Sequence, residues 1–173
     1  MCIRDRVIFA NFSHPGAETL ATRLSERSGL ARVFFSDNGS TAVEVALKIA
    51  WQWWQNQGID RRQLVAFSGA YHGDTFGAMA VGERSLFSQP FESLLFAVAR
   101  APWPATHWHD SGVEEREHQA LAVLDRLLEV PTAAVILEPL VQGASGMAMV
   151  REEFLRQVEG RVRQAGALLI DDE

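Results

Sequence analysis

The run Asp37-Asn38-Gly39-Ser40-Thr41 leads turn-forming polar residues directly into the apolar stretch Ala42-Val43-Glu44-Val45-Ala46-Leu47. Such a junction can hold an anion. Gly39 lets a ligand come close to the backbone, Ser40 adds a hydroxyl, and the first N–H groups of the following helix would face a phosphate. A second reading needs no ligand, because Thr41-Ala42-Val43-Glu44 also fits a capping box that satisfies the helix's own donors. The turn has neither the lysine of a nucleotide P-loop nor the glycine spacing of a dinucleotide fingerprint.

Tyr71-His72-Gly73-Asp74-Thr75 places a ring and an imidazole in a run of small and polar residues. The ring could stack on a flat heterocycle, or simply pack on the rim of the core with its hydroxyl in water. Two apolar runs end in acids: residues 133–137 stop at Glu138, and residues 167–170 stop at Asp171-Asp172. An acid at the carboxyl end of a strand can hold a protonated ring nitrogen, or can be a solvated terminus. His107-Trp108-His109-Asp110 has alternate histidines but no third ligand of convincing spacing, so it reads as a loop with two solvated histidines, and no metal site is expected. Lys48 is the only lysine, and Glu44 four residues before it reads as its surface partner, which argues against a nucleophilic role. No Gly-x-Ser-x-Gly elbow offers hydrolase geometry.

These residues must be positioned by an alternation of strands and helices. Arg32-Val33-Phe34-Phe35 reads as a first strand, residues 38–57 as a helix with a narrow wet stripe of Glu44, Lys48, Gln52 and Asn56, and residues 63–68 as a second strand. Gly58 closes that helix, whose Trp51, Trp53 and Trp54 suggest a partner surface as well as a core. Residues 69–82 read as a loop entering a short helix, and a strand is expected around residues 94–98. Helices follow at 111–129 and 151–164, and strands at 133–137 and 167–170. The pattern predicts an α/β fold with a mostly parallel sheet flanked by helices.

Composition narrows the functional classes. With 173 residues, nearly half of them apolar, the chain has enough material for one domain with a sizeable core. A net charge of -6 gives no basic footprint for nucleic acid or anionic membranes. The apolar runs are far too short to span a bilayer. The single cysteine, Cys2, rules out an internal disulfide and a cysteine-rich metal site, in keeping with a reducing cytoplasm.

Three motifs in order carry a resemblance: residues 34–48, Gly69-Ala70-Tyr71-His72-Gly73-Asp74-Thr75-Phe76-Gly77-Ala78-Met79, and Glu138-Pro139-Leu140-Val141-Gln142-Gly143-Ala144-Ser145-Gly146-Met147. Together with the acid-ended strands they resemble the class III pyridoxal-phosphate aminotransferases of fold type I. The likeness runs from about Val7 to Glu173 and is weakest between Glu83 and Ala133. It implies the fold of a partial large domain and the cofactor pyridoxal 5'-phosphate. Gly39 and Ser40 would hold the phosphate, Tyr71 would stack near the pyridine ring and help shape the substrate site, and Asp172 would hold the ring nitrogen. His72 and Glu138 also match cofactor-site positions. Asp171 departs from the family, which is usually uncharged there, and Asn38 replaces a common serine.

Within the family the motifs are most similar to the members of biotin biosynthesis that move an amino group from S-adenosylmethionine to 8-amino-7-oxononanoate. The resemblance implies a cytoplasmic homodimer acting on small molecules. It places the lysine that forms the Schiff base beyond Glu173, so no catalytic residue is expected in this chain. Residues 1–6 read as a non-native leader and residues 7–173 as an incomplete cofactor-binding domain, truncated at both ends and inactive by itself. Two other readings stay open: a different class III ω-aminotransferase, and a non-catalytic α/β module that binds a phosphorylated ligand.

Overall fold

A computed structural model of the chain describes residues 13–173, so the expected leader at 1–6 lies outside the described residues. The chain divides into two compact units, residues 1–35 and 36–173. In the first, helix α1 (Pro15–Ser28) was not anticipated, although its signals are local. Pro15 opens the helix, the His14 ring accepts the Gly16 N–H at 3.1 Å, and Gly29 leaves it in the left-handed conformation at φ 70°. Ala17, Leu20, Ala21 and Leu24 share one side of it at helical spacing, yet none of its residues is buried. The strand expected at residues 32–35 does not form. That segment is irregular and Phe34 is 69% exposed; an apolar run makes a strand only where another strand offers a ladder.

The second unit begins with helix α2 (Gly39–Asn56), followed by strand β1 (Gln63–Phe67) and the short helix α3 (Phe76–Val81). A 3-10 helix at Gln89–Leu94 leads to strand β2 (Ala99–Ala101), a few residues later than the strand expected from the sequence. Residues 90–96 are half-buried or exposed, so their apolar character belongs to a surface rather than to a strand. Helix α4 (Val113–Leu128) and strand β3 (Thr132–Leu137) follow, then a hairpin of β4 (Val141–Gln142) and β5 (Ala148–Met149). Helix α5 (Glu152–Gln164) and strand β6 (Leu168–Asp171) complete the order.

Four strands form one parallel sheet in the order β2-β1-β3-β6, while β4 and β5 pair antiparallel apart from it. The chain steps from β1 outward to β2 and then returns across β1 to β3. The loops after β1 and β3 therefore diverge, which is the arrangement that opens a crevice at the carboxyl end of a parallel sheet.

Strand alternation builds a core on each face. Val65, Phe67, Val135 and Leu137 meet Leu121 and Leu124 of α4 and Phe154, Val158 and Val162 of α5. Leu64, Ala66, Ala134 and Ile136 face the other way, toward Val43, Leu47, Ala50 and Trp54 of α2 and Ala78 of α3. Trp54 also donates its indole N–H to the Ala133 carbonyl at 2.9 Å, while Trp51 and Trp53 stay exposed. On the first face Arg151 donates two hydrogen bonds to the buried carboxylate of Glu117, at 2.9 and 2.6 Å. Those bonds are the main reason the Arg151 guanidinium holds its proton more tightly than usual.

Candidate cofactor site

The capping of α2 decides what its N-terminus can do. Asn38, with an extended backbone, accepts the Thr41 N–H through its side chain at 3.0 Å and the Ala42 N–H through its carbonyl at 2.9 Å. The Thr41 hydroxyl in turn accepts the Asn38 N–H at 3.0 Å. The capping box is thus Asn38 with Thr41, one turn earlier than Thr41 with Glu44. It leaves the first two N–H groups, those of Gly39 and Ser40, pointing out of the positive end of an eighteen-residue helix.

Gly39 and Ser40 face a cavity of about 550 Å³, and the other expected residues, Tyr71, His72, Glu138 and Asp172, line the same space. The loops after β1, β3 and β6 bring them there. A neighbouring hollow of about 560 Å³ shares Tyr71 and Asp74 and runs out over Phe87 and Phe91, without the helix terminus or the acid of β6.

Each side chain is held. The Ser40 hydroxyl accepts the Thr75 N–H at 2.9 Å and bonds the Thr75 hydroxyl at 3.0 Å, so it is committed to the neighbouring loop and the Ser40 amide is the group left for an anion. Gly73, at φ 117°, passes so close that a Cβ there would lie 2.4 Å from the Ser40 hydroxyl oxygen. Both oxygens of Glu138 accept backbone N–H groups, Tyr71 at 2.8 Å and Gly143 at 2.9 Å, which ties two site loops together. Tyr71 is 49% exposed with its ring in the cavity; partial burial and then the Asp74 carboxylate beside it push its phenol above the ordinary tyrosine value.

Asp172 and His72 form a pair. The imidazole is buried, and its Nδ1 lies 2.7 Å from one Asp172 carboxylate oxygen. A carboxylate only accepts, so Nδ1 carries the proton, and Nε2 is buried with no partner among the described residues. The Asp172 N–H donates to the Leu137 carbonyl at 2.9 Å, fixing the end of β6 beside β3. The second carboxylate oxygen is left for a ligand. Asp171, one residue earlier, points to the opposite side of the sheet, into a separate hollow with Leu155 and Glu159. Burial, then the charges of Glu159 and Glu173, raise its carboxyl above the usual range.

Lys48 and Glu44 do not pair. The Glu44 carboxylate accepts the Gly77 N–H at 2.5 Å and the Ala78 N–H at 3.4 Å; Lys48 lines, with Glu44, Trp51 and Phe96, a hollow separate from the candidate site, without an ion pair to Glu44. The helical spacing was right; the N-terminus of α3 is the stronger partner for a carboxylate. His107 and His109 are both exposed, and among the described residues no group of three or more His, Cys, Asp or Glu could hold a metal ion. Sequence reasoning missed Thr75, Gly143 and the role of Gly73. The Gly73 signal was a glycine between bulky neighbours; the other two depend on loops that meet only in the fold.

The arrangement offers two amides and a helix dipole for an anion at one side, an aromatic ring between, and a carboxylate at the other side. Comparison with known proteins gives the same direction. The model of the family "Aminotransferase class-III" matches residues 5–173. The adenosylmethionine-8-amino-7-oxononanoate aminotransferase of Synechococcus elongatus is 58% identical over 172 residues, covering 98% of this chain and 41% of that protein. Among solved structures, an amine transaminase from an uncultivated Pseudomonas species, in a pyridoxal-phosphate-bound form, superimposes with a TM-score of 0.87 at 29% identity over 97% of this chain and 40% of its own. The adenosylmethionine-8-amino-7-oxononanoate aminotransferase of Methanocaldococcus jannaschii gives a TM-score of 0.84 at 28% identity, covering 96% and 37%. The chain thus spans about two fifths of the length of these relatives. On the match of nearly its whole length, the chain belongs to the class III aminotransferase family.

Proposed function

We propose that the protein is a pyridoxal-phosphate-dependent aminotransferase that moves an amino group from S-adenosylmethionine to 8-amino-7-oxononanoate, giving 7,8-diaminononanoate in biotin biosynthesis. The supporting observation is the convergence of the α2 N-terminus, Tyr71 and Asp172 on one cavity, in a chain 58% identical to a relative so named. The residues fit the cofactor. Gly39 and Ser40 hold the phosphate through their amides, and the missing side chain of Gly73 keeps the wall beside Ser40 thin. Tyr71 would stack near the ring and help shape the substrate site. Asp172 uses its second oxygen to keep the ring nitrogen protonated, with His72 fixing the first. Glu138 acts on the cofactor through the two loops it joins.

Bound there, pyridoxal phosphate supplies the electron sink of the reaction. The chain supplies the anchor, the orientation and the charge at the ring nitrogen. Lys48, remote from these groups along α2 and lining another hollow, is not the amine of the reaction. Borohydride reduction in the presence of pyridoxal phosphate should leave it unlabelled.

The working form is a cytoplasmic homodimer, with the tryptophan-rich helix α2, whose Trp51 and Trp53 are both exposed, contributing to the contact. No helix among the described residues is long and apolar enough to cross a membrane. A second reading, a class III ω-aminotransferase with another amine donor, is favoured by the likeness to the amine transaminase. Donor profiling of the intact protein separates the two: product formation that depends on S-adenosylmethionine supports the first, and equal turnover with simple amines in its absence defeats it.

A further inference from the structure

The helix α3 has no side-chain cap of its own, since Thr75 at its N-cap makes none. Its free amides are taken up instead by α2. Ser40 accepts the N–H of Thr75, and Glu44, one turn further along the same helix, accepts those of Gly77 and Ala78. The fit is close: a Cβ on Gly77 would lie 2.3 Å from a Glu44 carboxylate oxygen. A negative side chain one turn behind an anion-binding helix end is unfavourable by Coulomb repulsion. Here the N-terminal amides of α3 accept that charge and offset the repulsion.

We propose that Glu44 is a positioning residue for the cofactor site. Its carboxylate fastens the start of α3 to the phosphate-binding turn, and so fixes the loop that carries Tyr71, His72 and Asp74. The loop is gripped at its other end by Glu138 through the Tyr71 N–H, leaving residues 71–75 stretched between two anchors. The amides that would hold the phosphate and the far end of the loop that carries the aromatic are thereby set by one helix. This inference rests on the pyridoxal-phosphate reading above.

The test compares Glu44→Ala, Glu44→Gln and Gly77→Ala in the intact protein, by hydrogen–deuterium exchange and by pyridoxal phosphate titration. Glu44→Ala should speed exchange across residues 71–78 by about tenfold, leave β1 unchanged, and weaken cofactor binding by a similar factor. Glu44→Gln keeps an acceptor oxygen of the same reach and should restore most of both. Gly77→Ala should resemble Glu44→Ala, because its methyl displaces the carboxylate, and should add little to it in the double variant. Unchanged exchange at 71–78 in Glu44→Ala, or a glutamine no better than alanine, overturns the proposal, as does a cofactor affinity untouched by the loosened loop. If the wild-type protein fails to bind pyridoxal phosphate, the functional reading falls instead, while the exchange comparison still decides whether Glu44 holds the loop.

Discussion

The two faces of the sheet are built on different principles. Against α4 and α5 the core is made of large side chains, with Phe67, Trp103 and Phe154 meeting edge to face at ring-centroid distances of 5.5 to 6.1 Å. Against α2 and α3 it is richer in alanine, with Ala50, Ala66, Ala78 and Ala134 beside Leu47, Trp54 and Ile136, and Ser40 and Glu44 of α2 bond backbone N–H groups at the start of α3. Burial is non-directional, so the first face gives stability without fixing atoms at a site. Hydrogen bonds are directional, and the second face uses them where a ligand must be met at a defined distance. The site stands at the end of the sheet where the face of hydrogen bonds predominates.

That contrast can be broken by mutation. Asp172→Ala should lower kcat/KM of the intact enzyme by about a thousandfold, with Tm lowered by only a few degrees, about what one orphaned N–H on the buried His72 costs. Asp171→Asn, on the opposite side of the sheet, should leave activity unchanged; assay and calorimetry of both variants check the division. Phe154→Ala, in the face of large side chains, should do the reverse: it costs about 3–5 kcal/mol in denaturant unfolding, with kcat per folded molecule intact. A Phe154 variant that stays stable but loses turnover would show that the faces are not separable.

The smallest effect sharpens the description of the site. Tyr71 is the only tyrosine of these 173 residues, so in this chain the phenolate absorbance reports it alone. Its midpoint should lie above 10, because burial and then Asp74 favour the neutral phenol, and Asp74→Asn should lower it. By linkage, this raised value contributes stability that is complete below the unfolded value near 10. That contribution disappears as pH rises through the folded value. A midpoint unmoved by Asp74→Asn would detach the acid from the ring.

Most of the fold was legible, for physical reasons that vary with the element. Strands β1 and β3 are buried in parallel pairing and so appear as short continuous apolar runs, and β6, half-buried at the sheet edge, appears as one too; α4 and α5 carry an apolar stripe on a charged helix. The helix α1 buries nothing, although Pro15, the helical spacing of Ala17, Leu20, Ala21 and Leu24, and Gly29 all mark it in the sequence. At residues 32–35 the apolar run is present but no ladder is. The residues expected at the cofactor site line one cavity, and they could be singled out because helix starts and strand ends are local signals. How they are held was not: Ser40 reaches Thr75 across 35 positions, and His72 reaches Asp172 across 100. Glu44 shows the limit most directly. Its spacing to Lys48 is visible in the sequence, whereas the competing amides of α3 exist only once the chain has folded.

The adjacent acids at the end of β6 carry a further consequence. Asp171 and Asp172 are the same side chain, yet one looks into the cavity and the other away, so parity along the pleat, rather than residue type, assigns the work. An inserted residue within Leu168–Ile170 would still present an aspartate to the cavity, since the pair shifts as a unit and its other member takes the inward place. The strand's apolar residues would then change sides with it. An inward-facing acid at this position can therefore survive a frame slip that the hydrophobic core cannot, and the core, not the acid, enforces the register.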